Sequence, residues 1–393
     1  MDKKVLFEVN SSIPSSQYNV INYPPQGYGF VMPNAAWNGF SGSLLQNHVL
    51  LRGLYHLARL MPLGLIKSYA ASLVKNYAQV DLVYAFNHLV LSEIPWVVWV
   101  EWLHMLAGFH IRHVWTYNRI FKKAFSSKYC KAILVWSSVT RRNILSNLDG
   151  SEFEQKIHMI YPAVPRRESM KRQCGDKVKI LFVGSGRTPN DGDFHTKGGK
   201  EVLEMFTILE KRGHNIELVV RSKVPEPFRS KARRCRNIKL LEEVLPRETL
   251  EEEFKTSDIL VHPTHFPLNT IVPDAMSYGI PVVVTDIYNY REWVEDGVTG
   301  LLVKAPEDVP YFWKDTIPPG CSPIMNQYNR AMFSTQWATV HELVDKVGLL
   351  VSDEKLRRRI GNAARREVEE GKLSIENRNS KLKKIFDDAL AFN

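Results

Sequence analysis

Between residues 177 and 303 the sequence alternates short, almost wholly apolar runs with helix-length segments, and this alternation constrains the fold more than any other feature. Residues 177–183, 216–220, 237–241, 258–261, 281–285 and 300–303 read as strands. Residues 200–212, 247–256 and 271–278 read as helices between them, two of them stopped by Gly213 and Gly279. A strand that lacks polar alternation is covered on both faces. The pattern therefore predicts a parallel, doubly wound α/β sheet.

The first half repeats the theme less cleanly. A strand over residues 5–9 is followed by a Gly/Pro/Asn-rich stretch, 11–43, that reads as a long loop. Residues 44–77 read as helical, with Leu50, Leu51, Leu54, Leu57 and Leu60 at helical spacings and an interruption near Pro62. Apolar runs at 80–86, 95–100, 131–136 and 156–163 surround a basic helix near 114–125. The polar, basic stretch 164–176 reads as a linker. Helices are expected over 337–351, 353–370 and 374–390. The expected organisation is an N-terminal Rossmann-like domain over 1–165, a second over 177–370, and a C-terminal helix, 371–393, packing back on the first domain.

Charge separates the two halves. Of the formal net charge of +10, seven units fall within residues 1–165. No acid occurs between Glu8 and Asp81 or between Glu101 and Asp149, and the second gap interleaves Arg112, Arg119, Lys122 and Lys123 with Trp102, Trp115, Tyr117 and Phe121. Such a mixture suits an anionic membrane surface or a nucleic acid, or is a solvated basic face over an aromatic core. No helix-turn-helix, zinc-finger or RNP-type motif accompanies it, so the membrane is preferred and no nucleic-acid partner is expected. Cys130, Cys174, Cys235 and Cys321 form no CxxC or zinc spacing, and no apolar run approaches the roughly 18 residues of a membrane span. The opening Met1-Asp2-Lys3-Lys4 leads into a strand rather than a signal peptide. A cytoplasmic protein, peripheral on the inner membrane face, is the expectation.

Several short motifs fail on spacing. Gly184-Ser185-Gly186 has Pro189 where a dinucleotide fingerprint needs its third glycine, and Gly199-Lys200 lacks the upstream glycine of a P-loop. Asp191-Gly192-Asp193 resembles a metal-binding acid pair but reads as part of a polar loop. His262 and His265 lack a placed carboxylate or cysteine, so no metal site is expected.

One constellation does carry a signal. Residues 180–185 (ILFVGS), Lys197-Gly198-Gly199, 257–264 (SDILVHPT), 274–285 (DAMSYGIPVVVT) and 291–303 (REWVEDGVTGLLV) match in order and spacing over roughly 178–305. This segment resembles the C-terminal domain of GT-B fold glycosyltransferases, in particular the retaining family 4, the glycosyl transferases group 1. The first domain resembles them only loosely, in 94–98, 133–138 and 156–164. The resemblance implies a GT-B fold, two doubly wound Rossmann-like domains facing a cleft. It implies transfer of a sugar from a nucleotide-diphosphate sugar with retention, without a metal or other cofactor. A GT-B epimerase, an inactive homologue and a nucleic-acid-binding α/β protein stand as alternatives.

The chemistry of the residues supports the carry-over. A diphosphate is held by backbone N–H groups at a helix start and by a fixed cation. Gly184, Gly198 and Gly199 permit close backbone approach, Lys197 stands at the family's phosphate-binding lysine, and Arg187 is the nearest candidate for its arginine. Asn269, Thr270 and Ile271 lead into a short helix at the carboxyl end of a strand. Asp274 occupies the place of the second glutamate of the family's E-x7-E motif, the carboxylate that binds the ribose diol, and the first would fall on Phe266. In the first domain Glu101 and His104 follow a strand where the family has a polar active-site residue, and Glu101 reads either as a general base for the acceptor or as a structural ion pair. Gly39 and Gly42 are candidates for a phosphate-facing glycine loop. The basic first domain adds the expectation of a lipid-linked acceptor at an anionic membrane surface.

Overall fold

The computed structural model describes residues 2–9, 13, 15–32, 61–74, 77–108, 111–167, 177–184, 192–243, 247–265, 270–305 and 333–391. These form two compact units, one drawn from Met1–Pro162 and Glu376–Asn393, the other from Ala163–Tyr311 and Ile324–Ile375. The chain passes from the first unit to the second between Pro162 and Ala163, at the start of the stretch read as a linker.

The first unit is a six-stranded sheet of β1 (Lys3–Val9), β2 (Tyr28–Val31), β3 (Leu82–Phe86), β4 (Trp96–Trp99), β5 (Cys130–Val135) and β6 (Ile157–Met159). All pair in parallel, in the order β2-β1-β3-β4-β5-β6. Chain order reverses between β1 and β3, and beyond the carboxyl ends of two such strands lies the crevice where open α/β sheets bind ligands. Of the four inner strands, β3, β4 and β5 are buried nearly throughout, which is why they read as unbroken apolar runs. Residues 11–43 were expected to be a loop, but helix Ser15–Asn22 and strand β2 lie within them. β2 is a four-residue, half-exposed edge strand, and the helix has no acid in its first turn, so neither leaves a periodic signature. The basic helix divides into Ile111–Thr116 and Asn118–Ser126. Most of the expected 44–77 helix, with Leu50 to Leu60, lies outside the described residues, as do Gly39 and Gly42; Leu63–Val74 is its described part.

The C-terminal helix, Ile375–Ala391, completes this unit. Arg378 donates to the Tyr23 carbonyl at 2.7 Å, the Tyr28 hydroxyl donates to Asp387 at 2.7 Å, and the Phe386 ring stands edge-on to Tyr28 and Tyr84.

The second unit is again wholly parallel: β7 (Val178–Val183), β8 (Ile216–Arg221), β9 (Ile238–Leu240), β10 (Ile259–His262), β11 (Val282–Thr285) and β12 (Gly300–Val303), in the order β12-β11-β10-β7-β8-β9. Its reversal lies between β7 and β10. Ile180 and Phe182 enter one hydrophobic cluster with Val202, Phe206, Val340 and Val344 of helices Gly199–Lys211 and Trp337–Ser352, while the alternate residue Leu181 is equally buried on the opposite face. Side chains packed on both faces make this the doubly wound sheet the sequence predicts.

Candidate functional site

The carboxyl ends of β7 and β10 lead into those sequence-predicted donor residues that lie among the described ones. After Val183 the chain turns through Gly184, whose N–H donates to the Arg221 carbonyl at 2.9 Å. A Cβ there would lie 2.4 Å from the Ser222 hydroxyl, so only glycine fits. Asp193, read from sequence as part of a polar loop, instead belongs to a short helix, Gly192–Thr196. The Lys197-Gly198 turn follows, and helix Gly199–Lys211 begins. Gly198 has φ +79°, and a Cβ on it would stand 2.2 Å from the Pro263 carbonyl oxygen. The turn is stitched to the segment beyond β10: the Thr196 carbonyl accepts from the His265 N–H at 2.8 Å and from the Thr264 hydroxyl at 3.2 Å.

Lys197 is 7% exposed. Burial pushes its pKa down to about 8, against a partial restoring effect of the Asp193 carboxylate. Lys197 is therefore not a solvent-exposed lysine at a helix start. His262 lies beside it, fully buried at the end of β10 and hydrogen-bonded to the Val183 backbone. Burial and the Lys197 charge hold the imidazole well below its ordinary range, so it is neutral near pH 7 and adds no second positive charge.

Sequence reasoning missed the buried polar cluster behind this turn. Glu201, two residues into the helix from Gly199, accepts a hydrogen bond from the Gln336 N–H at 3.1 Å, and lies 3.4 Å from His265 Nε2 and 3.5 Å from Lys200 Nζ. Burial alone would raise the Glu201 pKa, but His265, Lys200 and the Gln336 amide hold it below the usual carboxylate range. In the sequence Glu201 is an ordinary first-turn acid, and nothing local marks its partners. Among the described residues no three His, Cys, Asp or Glu side chains gather in a metal-binding group.

Thr270, Ile271 and Asp274 are where the sequence places them, at the start of helix Ile271–Ser277. Thr270 stands at its N-cap position without a side-chain capping bond, Ile271 is buried, and Asp274 is half-buried in the first turn with its N–H donating to the Thr270 carbonyl at 2.9 Å. Gly199 packs against the Phe194 ring, where a Cβ would lie 2.3 Å away. Arg187 and Asn269 lie outside the described residues, as does Phe266.

In the first unit Glu101 stands just beyond β4, half-buried. Asn87, immediately beyond β3 and at φ +52°, donates to its carboxylate at 3.2 Å and accepts from its N–H at 2.9 Å. Burial pushes the Glu101 pKa up to about 7, with the Asn87 amide pulling the other way. A carboxyl group that titrates near neutrality is suited to proton transfer. His104 lies in a buried 3-10 turn, Leu103–Ala107, with its ring 6.2 Å from that of Trp102.

Two wholly parallel, Rossmann-like units, with a buried lysine in a closely packed glycine turn at the switch point of the second, define the GT-B class of fold. Comparison with known proteins agrees. Residues 177–315 match the family model for glycosyl transferases group 1. No curated protein matches the chain by sequence. Among solved structures, HepE from Anabaena in complex with UDP-glucose superposes with a TM-score of 0.57 at 12% identity, over 98% of this chain and 99% of that one. WaaG, a glycosyltransferase involved in lipopolysaccharide biosynthesis, gives 0.55 at 15% identity over 98% of each chain. TarM gives 0.56 at 16% identity, over 81% of this chain, which spans 57% of TarM. The resemblance of this segment to glycosyl transferases group 1, and the GT-B fold class, are borne out.

Proposed function

We propose that the protein transfers a glycosyl unit from a nucleotide-diphosphate sugar to an acceptor hydroxyl, with retention and without a metal. The observation that carries this reading is Lys197, a buried cation at the β7/β10 switch point, held in a turn whose glycines pack against Pro263 and Phe194. In the reaction the bond from the anomeric carbon to the diphosphate oxygen breaks, a bond to the acceptor oxygen forms, and the acceptor's proton passes to a base. Lys197 stabilises the charge that develops on the leaving diphosphate. Asp274 accepts hydrogen bonds from the ribose diol. Glu101, ionising near pH 7, is the base or hydrogen-bond partner of the acceptor.

Two of the similar structures hold matching ligands, UDP-glucose in HepE and UDP in TarM from S. aureus. The acceptor is read as lipid-linked and reached from the cytoplasmic face of a membrane. A thermal-shift screen over nucleoside diphosphates and their sugars tests the donor half, since a ligand of the native state raises its stability by mass action. Incubation of the stabilising sugar nucleotide with candidate acceptors, followed by NMR of the product's anomeric proton, tests transfer and retention together. No shift with any nucleotide would refute the reading. A sugar nucleotide converted to its epimer, with no acceptor consumed, would favour the epimerase, for which Phe266 in place of a glutamate speaks.

A further inference from the structure

Helix Leu63–Val74 is apolar on both its faces. Gly64, Leu65, Ser68 and Ala71 point inward, and Gly64 approaches the Leu106 carbonyl so closely that a Cβ would lie 2.2 Å from it. The outward face carries Leu63, Ile66, Tyr69 and Leu73, preceded by Met61, and all five are exposed, Tyr69 by 62% and Leu73 by 68%. Steps of three and four residues place them along one stripe. A helix apolar on both sides belongs in a protein core or a membrane, and this one gives only its inner side to the core and does not span. Its twelve residues reach about 18 Å, short of the roughly 30 Å of a hydrocarbon core. Among the described residues no helix is long and apolar enough to cross a membrane.

Its neighbours supply the charge. Helices Ile111–Thr116 and Leu63–Val74 both pack on the Leu103–Ala107 turn, and Leu65, Leu106, Ile111, Val114 and Phe121 join one cluster against one face of the first sheet. Elements layered on one face of a sheet turn their outer sides the same way. The outer side of the 111–126 pair exposes Arg112, Trp115, Arg119, Ile120 and Lys123. Neither 61–80 nor 102–148 contains an acid.

We infer that this side of the first unit is a membrane-surface binding face, with the Leu63–Val74 stripe lying in the plane of an anionic bilayer. Leu63, Ile66 and Leu73 enter the acyl boundary, Tyr69 and Trp115 sit at headgroup level, and Arg112, Arg119 and Lys123 meet the lipid charges. The stripe selects the occupant. A nucleic acid offers nothing to aliphatic side chains, and an acidic protein surface would leave Ile66 and Leu73 against carboxylates. The inference stands on the first unit alone and does not depend on the donor site.

The test is co-flotation of the full chain with phosphatidylcholine vesicles, with and without about 30 mol% phosphatidylglycerol, at ~0.15 M salt. The expected result is binding to the anionic vesicles and little to the neutral ones. Ile66→Asp with Leu73→Asp should lower the partition coefficient at least about tenfold, and so should Arg112→Glu with Arg119→Glu and Lys123→Glu. Ile66→Phe with Leu73→Trp, which keeps the stripe apolar, should bind as well as the wild type. All three variants alter exposed positions and should keep the wild-type thermal midpoint and nucleotide response. A wild-type chain that stays behind when anionic vesicles float, or variants that all bind like the wild type, would overturn the inference. Concentration-dependent self-association lost in the Ile66→Asp and Leu73→Asp variant, without vesicle binding, would instead assign the face to a second copy of the chain.

Discussion

Asn87 and Glu101 grip each other across the ends of β3 and β4: the Glu101 N–H donates to the Asn87 side-chain oxygen at 2.9 Å, and the Asn87 amide donates to the Glu101 carboxylate at 3.2 Å. The left-handed backbone of Asn87 makes the pairing feasible, and asparagine tolerates it better than most residues. The amide favours the ionised carboxylate, while burial disfavours it more strongly and sets the pKa near 7. If Glu101 is the base, transfer falls as pH drops through about 7 and the carboxylate takes up a proton. Asn87→Gly keeps the backbone conformation and removes the amide. The acidic limb of the pH–rate profile should then move to higher pH, and in Glu101→Gln it should vanish with most of the activity. An unmoved limb in both variants would take Glu101 out of the reaction.

Lys197 titrates on the other side of neutrality. Its charge is present below about pH 8, so donor affinity should weaken as pH rises through that value, giving a narrow activity optimum between the two groups. Lys197→Met should lower kcat/KM by about 10²–10³-fold, the loss of roughly 3–4 kcal/mol of leaving-group stabilisation. Stability should move the other way. The folded-state pKa lies below the unfolded value, so the unfolded chain binds more protons between the two and the fold gains stability as pH rises through that window. Keeping the lysine charged near pH 7 costs about 3 kcal/mol, and Lys197→Met should therefore unfold no earlier than the wild type. Steady-state kinetics and urea titration at pH 7 and pH 9 read both effects.

Asp193 is no bystander, because its carboxylate raises the Lys197 pKa. Asp193→Asn should shift the alkaline limb of donor binding to lower pH while retaining activity at pH 7. On the metal-free reading EDTA should leave transfer unchanged. Activity lost to EDTA and restored by a divalent cation would end that reading.

Asp274→Asn should weaken donor binding by about 1–2 kcal/mol and barely alter acceptor affinity, because the amide oxygen is a weaker, uncharged acceptor for the ribose diol. Calorimetric titration with the nucleoside diphosphate checks it. Equal affinity in the variant and the wild type would leave Asp274 as a first-turn acid complementing the helix dipole.

Gly198→Ala combines a left-handed backbone with a Cβ driven into the Pro263 carbonyl. A loss of about 2 kcal/mol or more is expected in denaturant unfolding, together with loss of nucleotide response, since the Lys197 turn cannot keep its place. Gly213→Ala, also left-handed but with open space around the added Cβ, should lose only about 1 kcal/mol.

The strands of the second unit were legible because every inner strand is buried on both faces. Burial on both faces demands apolar side chains at successive positions, which is visible locally at Ile180–Val183 and Val282–Val284. β2 was not legible, since an edge strand of four residues has one pairing neighbour and no strict inside or outside. The glycines of the Lys197 turn were readable for a similar reason: Gly184 and Gly198 answer backbone geometry that no other residue fits, so the demand is written at the position itself. What surrounds the turn was not. His262 is neutral because it is fully buried with Lys197 beside it, Glu201 is ionised because His265 and Lys200 close on it, and Asn87 steadies Glu101 from beyond the neighbouring strand. Each of these states arises from desolvation and the approach of groups remote in the chain. The sequence by itself determined which residues are apolar, which backbone positions admit only glycine, and where the charges are carried. Only the tertiary structure decided which charges lose their water and which partners face them, because both are set by distances that exist only once the sheets have formed.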